Sequence, residues 1–145
     1  KYIEKKKIVS FHNVEVFFTG GELDQGDLDV ILHSVHLAAQ QSKQNGPNGL
    51  VEFSVRVFLK ELGKKPGKSG QDWLYSSIRR LCACLVEVSY GEGVRQSAFS
   101  RLRIYGGPLI YDFYHDPTKN RFFIDLLNCF EQSVLNLLNH FQRLV

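Results

Sequence analysis

The segment Gly63-Lys64-Lys65-Pro66-Gly67-Lys68-Ser69 carries the glycines, lysine and hydroxyl from which a phosphate-cradling loop is built. Its spacing is one residue short of G-x-x-x-x-G-K-[ST], and it follows a helical pattern where the nucleotide-binding loop follows a strand, so it does not read as an ATP site. His33 and His36 stand three apart, close enough on one helical face to share a metal. No third ligand is near them in sequence, and they read as surface histidines. Asp24, Asp27 and Asp29 could form an acid–base cluster, but they fall where a helix begins, and the positive end of the helix dipole accounts for them without chemistry. Cys82 and Cys84 read as small packing residues, since no neighbouring histidine would activate a thiol. The sequence therefore offers no catalytic constellation, metal site or cofactor motif, and an enzyme is not expected.

What remains is charge in a particular place. A net charge of +3 does not point to nucleic acid by itself. Between Ser54 and Arg80, however, seven bases (Arg56, Lys60, Lys64, Lys65, Lys68, Arg79 and Arg80) stand against two acids (Glu61 and Asp72), a local +5 that leaves the rest of the chain at −2. At about 100° per residue, a helix from Gln71 to Leu85 puts Leu74, Ile78, Leu81 and Leu85 on one side and Asp72, Ser76, Arg79, Arg80 and Ala83 on the other. With its leucines held in a core, such a helix can lay its polar face in the major groove of duplex DNA, where arginine donates two hydrogen bonds to a guanine edge. Arg79 and Arg80 are placed for base or phosphate contact, with Ser69, Gln71, Tyr75 and Ser76 beside them. Lys64, Lys65 and Lys68, with the backbone amides from Gly67 to Gly70, gather at the helix N-terminus, where a phosphate is favoured. The competing reading is a solvated lysine loop, with Arg79 paired to Asp72 or Glu61 at the surface.

The elements that must hold these residues follow from the polarity pattern. Val14 to Thr19 reads as a strand ended by Gly20-Gly21. A helix follows, with Leu28, Ile31, Leu32, Val35 and Ala39 as its buried stripe, and the run Asn45-Gly46-Pro47-Asn48-Gly49 breaks it. A short strand from Leu50 to Phe53 leads to Ser54, a candidate N-cap for a second helix buried through Val55, Phe58, Leu59 and Leu62 and closed by Gly63. Beyond the third helix the pattern turns extended over Val86–Tyr90, Ala98–Tyr105, Leu109–His115 and Arg121–Asp125. Asp116-Pro117-Thr118-Lys119-Asn120 marks a turn, so the last two strands should form a hairpin. Three helices and a hairpin in this order predict an α+β winged helix, with Lys119 and Arg121 on the wing. Leu127, Phe130, Val134, Leu137, Leu138, Phe141 and Val145 give a closing amphipathic helix.

A hydrophobic fraction of 43% with only 4 prolines argues for a folded core rather than a disordered tail. No apolar run approaches the roughly 18 residues that cross a bilayer, so no membrane partner is expected. Cys82, Cys84 and Cys129 make an odd count without C-x-x-C spacing, which suits a reducing cytoplasm. A chain that contains no methionine and opens on Lys1 reads as part of a longer protein.

The run Phe18-Thr19-Gly20-Gly21-Glu22-Leu23-Asp24-Gln25-Gly26-Asp27-Leu28-Asp29-Val30 resembles the opening signature of TrfA-type plasmid replication initiators. Phe58, Leu59, Leu62-Gly63, Tyr75, Ile78 and Arg80-Leu81 are similar to that family's helix, loop and helix, and Phe122-Phe123-Ile124-Asp125 to its strand ending. The resemblance covers residues 14 to 126 and implies the first of two tandem winged-helix domains in a bacterial cytoplasmic protein that binds repeated plasmid-origin DNA. Host replication-initiation and helicase-loading proteins are the further partners it implies. On this basis residues 1–13 are a basic N-terminal arm, 14–125 the winged-helix domain, and 126–145 a helix leading toward a second domain. Two other functions fit the same pattern. One is a dimerisation module with little DNA binding of its own, pairing copies through the Val14–Phe18 strand or the closing helix. The other is a winged-helix transcription regulator.

Overall fold

In the computed structural model, which describes residues 1–11, 14–45, 50–90 and 104–126, the chain begins with two paired strands, β1 (Tyr2–Phe11) and β2 (Val14–Gly21). Helix α1 (Gln25–Asn45), the short strand β3 (Leu50–Ser54) and helices α2 (Val55–Glu61) and α3 (Lys68–Cys82) follow. Strands β4 (Leu85–Tyr90), β5 (Ile104–Gly107), β6 (Asp112–Asp116) and β7 (Arg121–Asp125) complete the described part. All strand pairs are antiparallel, in two sheets ordered β1-β2-β4-β5 and β3-β7-β6. The expected α+β class is therefore what the chain adopts. The expected closing helix lies outside the described residues, as does most of the expected Ala98–Tyr105 strand.

The core follows from the two periodicities. Along β3 and β7 every second side chain is buried, which brings Val51, Phe53, Phe122 and Ile124 onto one face of the three-stranded sheet. Against them pack Phe58 and Leu59 of α2 and Leu74, Ile78 and Leu81 of α3, all fully buried. Phe53 and Phe58 stack with ring centroids 4.2 Å apart. Val30 and Ile31 of α1 close the other side of this cluster. Ser54 does hold the N-cap position of α2, although its side chain makes no capping bond; the carbonyl of Asn120 in the β6–β7 turn accepts from the Val55 amide at 3.1 Å instead.

Several boundaries differ from expectation. Helix α3 starts at Lys68 rather than Gln71, because Gly70 lies inside its first turn and Gly67 stands at the N-cap. It also ends earlier, so Leu85 is not on its apolar side but is an exposed residue opening β4. Leu109 and Ile110 are buried outside any strand, with the Ile110 amide donating to the Leu81 carbonyl at the end of α3.

The residues read as a basic arm are, in their described part, strand β1, hydrogen-bonded along β2 from Tyr2–Gly21 to Phe11–Val14. The run Lys5-Lys6-Lys7 suggested a solvated tail, yet exposed lysines also suit an edge strand, where they discourage pairing with another chain. Register breaks between Ile3 and Lys6 and between Lys7 and Val9 add to that protection.

Candidate nucleic-acid interface

Helix α3 divides its circumference among three neighbours and solvent. Trp73, Ser77 and Arg80, spaced i, i+4 and i+7, lie on the flank toward α1. Tyr75 lies on the opposite flank against the β6–β7 hairpin, its ring edge-on to Phe113 at 5.6 Å and 6.2 Å from Phe122. Leu74, Ile78 and Leu81 point into the core. The remaining stripe, Lys68, Asp72, Ser76 and Arg79, is exposed along its whole length.

The α1 flank is fixed by one carboxylate. Asp24 and Asp27 form a reciprocal cap at the start of α1: the Asp27 amide donates to Asp24 Oδ1 at 3.0 Å and the Asp24 amide to Asp27 Oδ2 at 3.1 Å. Asp27, only 1% exposed, also accepts from Ser77 Oγ at 2.6 Å and from both arms of the Arg80 guanidinium, Nη2 at 2.8 Å and Nε at 3.3 Å. Burial pushes the Asp27 carboxyl upward, but the hydrogen bonds from Arg80, Ser77 and the backbone, together with the Arg80 charge, outweigh it and hold the group below the ordinary aspartate value. The same pairing holds the Arg80 guanidinium above its ordinary value.

The loop before α3 is equally specified. Helix α2 ends with the Gly63 amide donating to the Lys60 carbonyl at 3.0 Å and the Lys64 amide to the Leu59 carbonyl at 2.8 Å, which needs the left-handed φ of +75° at Gly63. Lys64 then sits with its ammonium 4.5 Å from the centroid of Trp73. The chain returns so closely that a Cβ on Gly70 would stand 2.6 Å from the Lys65 carbonyl oxygen and 3.1 Å from Leu59. Lys64, Lys65, Lys68 and Ser69 are all exposed at this end of α3.

Eleven residues were expected at DNA, and the fold treats them differently. Lys64, Lys65, Lys68, Ser69, Tyr75, Ser76 and Arg79 are exposed together on α3 and its leading loop, and Gln71 is half-buried. Arg79 makes no ion pair among the described residues, and its guanidinium rests 6.0 Å from the Tyr75 ring. Glu61 contacts His33 instead, and His33 also packs on Phe58 rather than standing free at the surface. Arg80 is turned to Asp27 and does not share the outward face with Arg79. Lys119 is exposed in the hairpin turn, which Asp116 holds by accepting from the Thr118 amide. Arg121 lies on the face of its sheet opposite the buried Phe122, paired to Glu52 at 2.8 Å and away from α3. The Val14–Phe18 strand, considered as a dimer edge, is an interior strand with β1 on one side and β4 on the other. Among the described residues no cluster of three or more metal-ligating side chains occurs, and no helix is long and apolar enough to cross a membrane.

No family model matches the chain, and no curated protein does. Two crystal structures of domains 2 and 3 of RctB, a replication initiator, match it with TM-scores of 0.59 and 0.60. The fold is shared with domains 2 and 3 of RctB. The RctB structures, one of them of a selenomethionine derivative, are 13% identical in sequence to this chain. They cover 95% of it, while it spans 57% and 54% of their length. At that identity the likeness to RctB is one of fold, so each site residue stands on the geometry of this chain alone.

Proposed function

We propose that α1-β3-α2-α3-β6-β7 is a winged helix that binds duplex DNA, with α3 as the helix laid in the major groove and the β6–β7 hairpin as the wing. Its part in the larger protein is that of a replication initiator of the TrfA type recognising repeated origin sequences, with the host replication machinery as further partner, and it has no enzymatic step of its own. One observation carries this reading: the outward stripe of α3 and the loop leading into it present Lys64, Lys65, Lys68, Ser76 and Arg79 to solvent, while the flanks of the same helix are fixed to α1 and to the hairpin. A helix held on three sides and basic on the fourth is suited to follow a groove without rearranging. The fold shared with RctB and the initiator-like sequence signature support the same role.

In this reading Arg80 and Arg121 leave the set of DNA contacts, since each is committed to a carboxylate, and Arg79 is the base-reading arginine. Fluorescence anisotropy with a mixed-sequence duplex tests it. Log affinity should fall linearly with log salt, with a slope near −0.9 per phosphate contacted. Replacing Lys64, Lys65 and Lys68 by alanine should reduce the magnitude of that slope by about 1 per lysine and weaken all duplexes alike, whereas Arg79→Ala should relax base preference. A folded chain that binds no duplex at about 50 mM salt removes the proposal.

A further inference from the structure

The stripe that α3 turns to solvent contains one acid. Asp72 follows Lys68 by one turn and precedes Ser76 by one turn and Arg79 by two, so at 700° of rotation Asp72 and Arg79 point within about 20° of each other. It is exposed and, among the described residues, has no hydrogen-bond or ion-pair partner, Lys68 and Arg79 included. It lies beyond the first turn of α3, where a carboxylate would serve the helix dipole. A Lys-to-Asp pair at i, i+4 is also the weaker orientation of such pairs. No contact within the described fold therefore accounts for a carboxylate at the centre of a surface proposed to meet a polyanion.

We infer that Asp72 is a specificity-determining residue: its carboxylate accepts a hydrogen bond from the exocyclic amino group of a cytosine in the major groove and repels duplexes that place no donor there. The inference rests on the proposed groove-binding role of α3. An ionised carboxylate only accepts hydrogen bonds, and the donors in the major groove are the amino groups of cytosine and adenine, of which aspartate pairs with cytosine. Arg79 only donates and seeks the acceptor edge of guanine. Two turns of helix separate these side chains by about 10.5 Å, close to three base-pair steps of about 3.4 Å. The stripe thus presents an acceptor and a donor at a spacing that fits a cytosine and a guanine about three base pairs apart along the groove. Like-charge repulsion from phosphates makes the acid a penalty on every other sequence, so discrimination arises from exclusion as much as from contact.

The test uses the full 145-residue chain, a duplex library randomised over about 12 base pairs, and a mixed-sequence duplex for anisotropy. The unaltered chain should enrich a cytosine at one position, and D72A should lose that preference by about 5- to 100-fold while keeping the guanine. R79A should do the reverse. D72N should shift the preference toward adenine, which an amide can bind with two hydrogen bonds. D72A should also bind the mixed-sequence duplex at least about threefold more tightly than the unaltered chain. If D72A and the unaltered chain select the same sequence, or mixed-sequence affinity does not rise, Asp72 is an ordinary surface charge and the inference falls while the DNA-binding role stands. A lowered Tm of D72A with unchanged selection overturns the inference in the same way. If the unaltered chain, folded by circular dichroism, binds no duplex at low salt, the groove-binding role and this inference fall together.

Discussion

Asp27 satisfies more groups than any other described side chain near the interface: it caps α1, accepts from Ser77 and holds Arg80 with two bonds. An Asp27→Asn exchange keeps the shape and removes the charge, leaving the Arg80 guanidinium half in protein without a counterion. Because that guanidinium reaches solvent, with 36% of the side chain exposed, the cost should sit at the lower end for broken buried pairs, about 2–3 kcal/mol. Arg80→Ala should cost more, about 3–4 kcal/mol, since it strands a carboxylate that is 1% exposed. Thermal or urea unfolding of the two variants checks the order. The folded Asp27 carboxyl lies below its unfolded value of 3.8, so the stability it contributes is complete above about pH 5 and is lost as pH falls through the folded value. The difference in unfolding free energy between the native chain and Asp27→Asn should therefore shrink between about pH 5 and pH 2; a constant difference would show that charge plays no part. Arg80 also shows a limit of sequence reading at this scale. The helical wheel puts it beside Arg79, and only the position of Asp27, a residue fully explained in sequence by the helix dipole, draws it to the flank instead.

Between α2 and α3 the chain must reverse and deliver three lysines to one helix end, and two glycines allow it. Gly63→Ala places a side chain at a φ of +75° with nothing within 4 Å of the new methyl group, so the cost is conformational only, about 1 kcal/mol. Gly70→Ala meets the Lys65 carbonyl oxygen at 2.6 Å and Leu59 at 3.1 Å, and backbone cannot give way as a side chain does. It should cost about 2–3 kcal/mol and displace the lysine loop, so its DNA affinity at a temperature where it is folded should fall more than that of Gly63→Ala. Equal losses in both variants would mean that the close approach of loop and helix is not what orders the lysines. The α2–loop–α3 unit and the β6–β7 hairpin were legible in sequence because their signals are local: apolar residues at helical spacing, a closing glycine, and Asp116-Pro117 before a turn. The start of α3 was not, because Gly70 reads as a loop residue to any local rule, and its place inside the first turn depends on the Lys65 backbone packed against it. The lysines of β1 misled for a related reason, since a charged edge strand and a solvated tail have the same composition.

Taken whole, the molecule places a three-stranded sheet and three helices around one buried cluster, and sets a second sheet beside it that joins the first two strands of the chain to the two strands that follow α3. Alternation in sequence identifies strands but does not say which of them pair, and so it does not show that β4 and β5 join β1 and β2 rather than the hairpin. This division predicts how protection is distributed. Most of the fully buried residues, among them Val51, Phe58, Leu74, Ile78, Leu81, Phe122 and Ile124, belong to β3, α2, α3 and β7, with Val30 and Ile31 of α1 and Ile110 packed against them. Strand β1 lies at an edge, has a neighbour on one side only, breaks register twice and exposes Lys5, Lys6 and Lys7. Native-state hydrogen exchange should therefore show amides of α3 from Leu74 to Leu81 opening only with global unfolding, while β1 amides exchange at least about 100-fold faster through local detachment. A groove-binding helix that must keep Asp72 and Arg79 in register gains from belonging to the last unit to open, because its reading geometry then survives fluctuations of the outer sheet. Equal protection in β1 and α3 would instead make both sheets one cooperative unit, and a change at the β1 edge would then be felt at the outward stripe of α3.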